Sequence, residues 1–305
     1  MIYTILKDSK KISDIQFYSD IHQITINNLS IPLLSPNLSN TITITENFLK
    51  FVSPRKKIFI SLDPNYYHFH NDSLGILFGY YETIKDCIFV LDISQIADYQ
   101  NCSFYNFFID FLKNNNIDYE LINCNKDTVI HANNFFAVKS FPNGKINIPE
   151  TVFNFYKNSI NDLSVKPYKN VYLSRKDNRG ISNNNKVEKC FNDLGFETIY
   201  SEDFKSFKEQ IDYFYSVKTL ASVSGAGLTN AIFMQENTLV LEIMTPNTLD
   251  ITSADKKILE KNTKQLHYFY NLLTFLKNQT YLGIPNINND ADNVVHKLNS
   301  LGLKQ

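Results

Sequence analysis

Three short stretches of the sequence carry groups that could do chemistry. The first covers residues 65–72, NYYHFHND, in which His68 and Asp72 are four residues apart and so share one face of a helix, whereas His70 points the other way. A histidine and a carboxylate can serve as a general base and its orienting group, and the positive end of a helix dipole helps to keep the imidazole neutral. The alternative is a His–Asp pair that only stabilises the helix surface.

The second stretch, YLSRKDNRG, covers residues 172–180 and places Arg175, Lys176 and Arg179 directly after a predicted strand. In open parallel sheets, ligands bind at the carboxyl ends of the strands. The planar guanidinium group binds phosphate or carboxylate through two parallel hydrogen bonds. The stretch therefore indicates an anion site, with a solvated basic loop as the alternative.

The third stretch, TLASVSGAGLTN, covers residues 219–230 and contains an apolar run, then Gly225, Ala226 and Gly227. A helix that begins in this turn would direct free backbone N–H groups and the positive end of its dipole at an anion. The glycines equally suit a tight turn or close packing of helix against strand. The Lys-Ser/Thr of a P-loop and the G-x-G-x-x-G fingerprint are both missing.

Glu242 comes at the end of the next strand-like run, TLVLEI. A carboxylate at a strand end beside an anion site is well suited to bind a ribose diol. An ordinary charge at the edge of the sheet is the alternative interpretation.

The elements that must position these groups form two successive alternations of strand and helix. The first runs over residues 56–123, and the second, after a turn-rich link, begins at VYLS and continues to helices expected near 265–278 and 291–302. Gly195 is predicted to end one helix of the second group and Ser206 to begin the next. Such alternation predicts parallel strands covered by helices, hence an α/β fold. We expect a domain boundary between residues 165 and 166.

Composition limits the function classes. The 305 residues carry a formal net charge of −1, so no overall positive charge favours nucleic acid. The four cysteines are scattered, without a C-x-x-C pair or a histidine cluster, which disfavours a zinc site and a disulfide scaffold. No charged segment precedes an apolar stretch at the N-terminus, and no apolar run approaches membrane-spanning length. We therefore expect a soluble cytoplasmic protein.

Taken together, the three stretches resemble glycosyltransferase family 61, whose members transfer sugars from nucleotide donors. The segment from VYLSRKDNRG to FETIY is similar to the family's strand–Arg–Asn–helix segment, with Arg175, Arg179 and Asn183 at the patterned positions. SGAGLTN followed by TLVLEI is similar to the family's Gly-Ala-Gly-Leu-x-Asn turn and the strand ending in Glu, and NYYHFHND resembles its Asn-x-x-His-plus-acid segment. The family usually has His before Gly-Ala-Gly, where this chain has Ser224, whose hydroxyl can donate to a phosphate but carries no charge.

The resemblance implies a GT-B architecture of two Rossmann-like domains facing across a cleft, with residues 1–165 on the acceptor side and residues 166–305 binding the donor. It implies an inverting reaction without a bound metal or other cofactor, and we find no Asp-x-Asp on a strand-end loop of the kind that carries Mn²⁺ with the diphosphate. The implied donor is a nucleotide sugar, UDP-linked. The implied acceptor is a glycan or lipid-linked glycan of surface polysaccharide assembly, with peripheral contact at the inner face of the membrane left open.

In the implied mechanism, Arg175, aided by Lys176 or Arg179, neutralises the leaving diphosphate together with the helix that begins at Gly225. Asp72 is the preferred base for the acceptor hydroxyl, with His68 either orienting it or acting as the base. The predicted donor-binding residues are Arg175, Lys176, Arg179, Asn183, Ser224, Gly225, Ala226, Gly227 and Glu242.

Two other function classes stay open. A catalytically weak nucleotide-sugar or glycan-binding protein is motivated by Ser224 in place of histidine. A hydrolase or phosphatase built around His68 and Asp72 is disfavoured, because the sequence has no G-x-S-x-G nucleophile elbow and no metal-ligand cluster.

Overall fold

The computed structural model describes residues 15–25, 48–96, 98, 101–125, 128–138, 148–176, 181–244, 279–286 and 290–301. Contacts divide the chain into two compact units, Met1–Thr151 and Val152–Gln305. The division lies before the predicted boundary because the ring of Tyr156 packs against Phe207 and Phe233 of the second unit. No helix within the described ranges is both long enough and apolar enough to cross a bilayer.

The first unit contains a five-stranded sheet of order β1-β8-β4-β5-β6 and a three-stranded sheet of order β2-β7-β3. Its strands are β1 (Ile15–Tyr18), β2 (His22–Thr25), β3 (Phe48–Phe51), β4 (Lys57–Ser61), β5 (Ile88–Asp92), β6 (Tyr119–Ile122), β7 (Val129–Ala132) and β8 (Phe135–Val138). Strands β8, β4, β5 and β6 pair in parallel, whereas β1 runs antiparallel to β8. The apolar runs of β4 and β5 are buried, as parallel strands covered on both faces require.

The helices of the first unit are α1 (Tyr66–His68), a π-helix (Phe69–Leu74), α2 (Gly75–Gly79), α3 (Tyr81–Ile84) and α4 (Ser103–Asn114). Asn65 caps α1, because its side-chain oxygen accepts hydrogen bonds from the backbone N–H groups of Tyr67 and His68. The helical pattern predicted over residues 66–85 is thus present, but as consecutive α and π segments. Single-turn π segments inside α-helices are frequent at functional sites.

The second unit is built on one fully parallel sheet of order β10-β9-β11-β12-β13. Its strands are β9 (Lys169–Ser174), β10 (Glu197–Tyr200), β11 (Val217–Val223), β12 (Leu239–Met244) and β13 (Thr280–Pro285). Its helices are α5 (Ile148–Lys157, which crosses the division), α6 (Asn184–Asp193), α7 (Phe207–Tyr215) and α8 (Ala291–Ser300), with 3₁₀ helices Ser201–Asp203 and Ala226–Phe233. The helix predicted near 265–278 lies outside the described residues.

The predicted helix boundaries of the second unit are confirmed. Gly195 follows α6 with φ of +83°, a left-handed conformation that glycine adopts without steric cost. Ser206 caps α7, since its side chain accepts from the N–H of Glu209 at 3.1 Å. On α6, Phe191 stacks on Tyr172 of β9 with ring centroids 4.3 Å apart, which fixes this helix against the sheet. The mixed α/β class predicted from the alternation is therefore observed.

The strand order of the second sheet changes direction between β9 and β11. From β9 the chain passes to β10 on one side, then returns to β11 on the other side. In open α/β sheets the crevice at such a switch point, at the carboxyl ends of the strands, is where ligands bind. Arg175 is the first residue after β9, and Ser224 is the first residue after β11.

Candidate active site

The loops that leave β9 and β11 are in direct contact. Leu173 pairs with Ser222, so the two strands end at the same level. An ideal Cβ placed on Gly225 would lie 2.6 Å from Nη1 of Arg175, closer than any real Cβ contact, so the guanidinium group lies against the backbone of this glycine. The structure thus brings together Arg175 and the glycine turn, the two features from which the sequence predicted an anion site.

The turn opens the 3₁₀ helix Ala226–Phe233, with Gly225 at its N-cap. The first N–H groups of a helix have no partner within the helix and attract anions. Gly225, Ala226 and Gly227 are half-buried, whereas residues 228–233 are buried. The accessible part of this helix is therefore its N-terminal turn, beside the Arg175 side chain.

The second glycine of the turn has a different environment. A Cβ on Gly227 would lie 2.9 Å from Cδ2 of Leu173, a β9 side chain that is almost completely buried. Gly227 therefore permits close packing of the 3₁₀ helix on the sheet, the structural role that the sequence left open for these glycines.

Glu242 and Ser224 correct the sequence-based expectations. Glu242 does not end its strand, because β12 continues to Met244, and it is only 5% exposed. Its Oε1 accepts a hydrogen bond from the Ser224 hydroxyl at 2.5 Å, and its Oε2 accepts one from the Tyr281 hydroxyl at 2.6 Å. The Ser224 hydroxyl, 3.3 Å from the carbonyl oxygen of Ile243, thus directs its hydrogen to buried acceptors and not to a phosphate.

Burial is the main influence on the ionisation of this pair. Removal from water raises the pKa of the Glu242 carboxyl, and the hydrogen bonds from Ser224 and Tyr281 partly offset that rise. Burial, followed by the charge of the neighbouring carboxylate, raises the pKa of the Tyr281 hydroxyl. Glu242 is consequently a buried group held on both oxygens.

Of the other predicted cationic and amide residues, Lys176 has its contacts away from the glycine turn. Nζ of Lys176 is 3.0 Å from Oδ1 of Asp203 and 4.8 Å from the centre of the Tyr200 ring, so this side chain extends towards β10, on the other side of β9 from β11. Asn183 precedes α6 in a left-handed conformation with φ of 60°, and its side chain is exposed. Arg179 lies outside the described residues.

A polar cluster that sequence reasoning missed occupies the ends of β9 and β10. Oε1 of Glu188 accepts hydrogen bonds from Ser174 Oγ at 2.5 Å, Asn184 Nδ2 at 2.8 Å and the Tyr200 hydroxyl at 3.1 Å. Oδ1 of Asn184 in turn accepts from the Tyr172 hydroxyl at 2.9 Å. The available signal was spacing: Asn184 and Glu188 are four residues apart on α6 and so share a face.

In the first unit, His68 and Asp72 form a close pair beyond the carboxyl end of β4. Nδ1 of His68 lies 2.6 Å from Oδ2 of Asp72, and Nδ2 of Asn71 donates to Oδ1 at 2.7 Å. The side chain of His68 is 49% exposed and that of Asp72 only 18%. The carboxylate is therefore engaged on both oxygens, while the imidazole is accessible.

His70, which the spacing places on the opposite face from His68, has a structural role. It is 1% exposed, its Nδ1–H donates to the carbonyl oxygen of Tyr66 at 2.7 Å, and burial lowers the pKa of His70 to about 4. The ring is enclosed by aromatic neighbours, including Phe69 and Phe104. His70 is thus a neutral core residue.

One Asp-x-Asp sequence does follow a strand, and its two carboxylates have structural partners. Asp290-Ala291-Asp292 lies between β13 and α8. Asp290 caps α8 by accepting from the N–H of Asp292 at 2.9 Å, and the Asp292 carboxylate forms an ion pair with Lys186. Among the described residues, no group of three or more His, Cys, Asp or Glu side chains is arranged to hold a metal ion.

Residues 66–241 match the model of the protein family described as Glycosyltransferase 61. The match begins with α1 and ends within β12, so it includes His68, Asp72, Arg175 and the glycine turn. Comparison with curated proteins finds no match. Since the family match covers more than half of the 305 residues, the chain belongs to glycosyltransferase family 61 and is an enzyme that transfers a sugar from a donor to an acceptor.

Proposed function

We propose that this glycosyltransferase has a GT-B arrangement and transfers a sugar from a nucleotide diphosphate donor, UDP-linked, with inversion and without a metal ion. The acceptor is a hydroxyl of a glycan or lipid-linked glycan in surface polysaccharide assembly. Residues 166–305 bind the donor and residues 1–165 the acceptor. The enzyme acts in the cytoplasm, with peripheral contact at the inner face of the membrane.

The contact between Arg175 and Gly225 is the observation that carries this proposal. As the bond from the anomeric carbon to the diphosphate breaks, negative charge develops on the leaving oxygen. A guanidinium group and helix N–H groups placed beforehand at that position stabilise the charge in the transition state. The two groups come from adjacent strand ends at the switch point of the sheet, where a ligand is expected.

For the base, the geometry favours His68 over Asp72. Because Oδ2 of Asp72 holds Nδ1–H of His68, the lone pair of that imidazole is on Nε2. Nε2 takes the proton of the acceptor hydroxyl, whose oxygen bonds to the anomeric carbon while the electron pair of the broken bond leaves with the diphosphate. The Asp72 carboxylate stabilises the imidazolium that forms.

Substitution of Arg175 by alanine tests the donor site. Loss of one transition-state donor is expected to lower kcat by about 10²–10³-fold. The matched control is Arg55→Ala, which removes an exposed arginine that pairs with Asp118 in the first unit. Transfer is measured with a panel of nucleotide sugars, and unimpaired turnover in Arg175→Ala contradicts the proposal.

Chelation with EDTA tests whether the transfer reaction requires a metal ion. We expect turnover to survive EDTA. A loss that Mn²⁺ restores contradicts metal independence, and Asp290 and Asp292, which follow β13, are then the first residues to substitute.

A catalytically weak nucleotide-sugar-binding protein is the second candidate. It is favoured by Ser224, because the hydroxyl is directed to Glu242 and adds no charge to the turn. In that case UDP, GDP or CMP raises the melting temperature, yet no product forms over a panel of acceptors. Detection of any glycosidic product excludes this candidate.

A further inference from the structure

We propose that Glu188, and not Glu242, binds the ribose hydroxyls of the donor nucleotide. The inference rests on the proposed function, because it names the nucleoside-binding group of the same site. Both carboxylates belong to the second unit, but they differ in burial and in the hydrogen bonds that they already accept.

Glu242 is unsuited to a ribose diol. It is 5% exposed, and hydroxyl donors occupy both of its oxygens. Burial and the two hydroxyl donors that surround this carboxylate keep it from a ribose that arrives from solvent.

Glu188 has a free acceptor on the accessible side. The three described hydrogen bonds to its carboxylate all go to Oε1. Oε2 is not among the buried unpaired atoms of the described residues, so solvent reaches it. Vicinal hydroxyls donate well to such a carboxylate, since hydrogen bonds to a charged acceptor are stronger than neutral ones.

The position of Glu188 also fits a nucleoside attached to a diphosphate at the switch point. Ser174, whose Oγ is 2.5 Å from Oε1 of Glu188, directly precedes Arg175. Consecutive Cα atoms are about 3.8 Å apart, so the Glu188 carboxylate is near the backbone of Arg175. A nucleoside is long enough to join a diphosphate beside Arg175 to this carboxylate. Glu188 belongs to α6, and the Tyr200 hydroxyl holds its carboxylate beside the carboxyl end of β10, the edge of the sheet where ligands bind.

The carboxylate is held in place before any ligand arrives. Ser174 and Tyr200 end paired strands and Asn184 belongs to α6, so the three donors come from three different elements. Asn184 is itself fixed by the Tyr172 hydroxyl. A group whose rotamer is already fixed loses little entropy on binding, which favours its use in recognition.

Ribose dependence of binding tests the inference. Calorimetry with UDP, GDP, ADP and CDP identifies the preferred nucleotide, which is then compared with its 2′,3′-dideoxy form. Wild-type protein is expected to prefer the ribose form by about tenfold or more. Glu188→Gln is expected to lose most of this preference without weakening the binding of inorganic pyrophosphate, which contacts only the Arg175 region.

Two other Glu→Gln variants serve as controls for Glu188→Gln. Glu197→Gln removes an acceptor of the Tyr213 hydroxyl at the opposite end of β10 and should keep the wild-type preference. Glu242→Gln should also keep the preference. If Glu242→Gln loses it, or Glu188→Gln keeps it, the inference is overturned while the proposed function stands.

Two more outcomes are decisive. If Glu188→Gln does not fold, Tyr200→Phe is used in its place, because it removes one hydrogen bond to Oε1 of Glu188. If Tyr200→Phe prefers the ribose form as strongly as the wild type does, the inference is overturned. If wild-type protein binds none of the four nucleotides, the proposed function is overturned, and the inference with it.

Discussion

The helical segment after β4 and the turn after β11 each contain two residues of one type, two positions apart, in opposite environments. After β4, the side chain of His68 is 49% exposed beside a carboxylate, whereas His70 is 1% exposed in an aromatic core. After β11, Gly225 lies against a guanidinium group, whereas Gly227 lies against a buried leucine. In each segment, one residue of the pair lies beside a group that could act on a ligand, and the other is packed against buried side chains.

Backbone geometry explains the pairing. In the histidine pair, two positions along a helix turn a side chain by about 200°, so His68 and His70 face nearly opposite directions. In the glycine pair, Gly225 is the N-cap and Gly227 lies inside the 3₁₀ helix, so the two glycines meet different neighbours. A helix that presents one group to solvent at a strand end must bury its other face against the sheet. We therefore expect substitution of His68 or Gly225 to affect catalysis or binding, and substitution of His70 or Gly227 to affect mainly stability.

Substitution of His68 by alanine is expected to have the largest effect on catalysis. Loss of the general base should lower kcat by about 10²–10⁴-fold. The free energy of unfolding should change by less than about 1 kcal/mol, because an exposed ion pair contributes little. The measurements are transfer kinetics and urea unfolding.

His296→Ala is the control for this prediction, because it removes an exposed histidine from α8. Its kcat should match that of the wild type. An Asp72→Asn protein that is inactive, together with an active His68→Ala protein, would assign the base to Asp72.

His70 is expected to show its effect in the pH dependence of stability. Its folded pKa of about 4 lies below the ordinary value of 6.5, so between these values the unfolded chain binds a proton that the folded chain does not. Stability should therefore fall as pH decreases from 6.5 to 4, by about 3 kcal/mol in total.

A His70→Phe protein should lose this part of the pH dependence, whereas His68→Gln should keep it. The measurement is the free energy of unfolding by urea at several pH values. Equal slopes in wild type and His70→Phe would contradict the assignment of His70 as a neutral core group.

The sequence predicted those parts of the molecule that depend on local pattern. Alternating strands and helices, the Gly195 terminus and the Ser206 cap all follow from residues close together in the chain, and the structure contains them. The approach of Arg175 to the glycine turn was also predictable, because both follow parallel strands whose carboxyl ends share one edge.

The missed features depend on contacts between distant residues. Glu242 meets Ser224 and Tyr281 because β12 lies between β11 and β13, an order that no local pattern specifies. The Glu188 cluster likewise requires β10 to pair with β9 in one register. One unaligned sequence contains no signal for either pairing, so the position of Glu242 was predicted wrongly.

Gly227→Ala is expected to lower stability. The new methyl group would lie 2.9 Å from Cδ2 of Leu173, which is surrounded by core and has little room to move. Overpacking of this kind costs about 1–3 kcal/mol. Urea unfolding measures the loss, and a Leu173→Ala background should reduce it, since the smaller side chain leaves room for the methyl group.

Gly225→Ala is expected to affect both stability and donor binding. The backbone of Gly225 has φ of +159° and ψ of 177°, a conformation that residues with a side chain rarely adopt, so an alanine is strained here. The atom that the new Cβ would meet, Nη1 of Arg175, is the far end of a flexible side chain and can move aside. Displacement of the guanidinium group should weaken nucleotide diphosphate binding about tenfold, as loss of one charge-assisted hydrogen bond would. The same substitution in an Arg175→Ala background should then have little further effect on binding, because no guanidinium group remains to be displaced. An equal loss in both backgrounds would mean that the methyl group blocks the nucleotide directly, and that Gly225 serves the ligand and not the arginine.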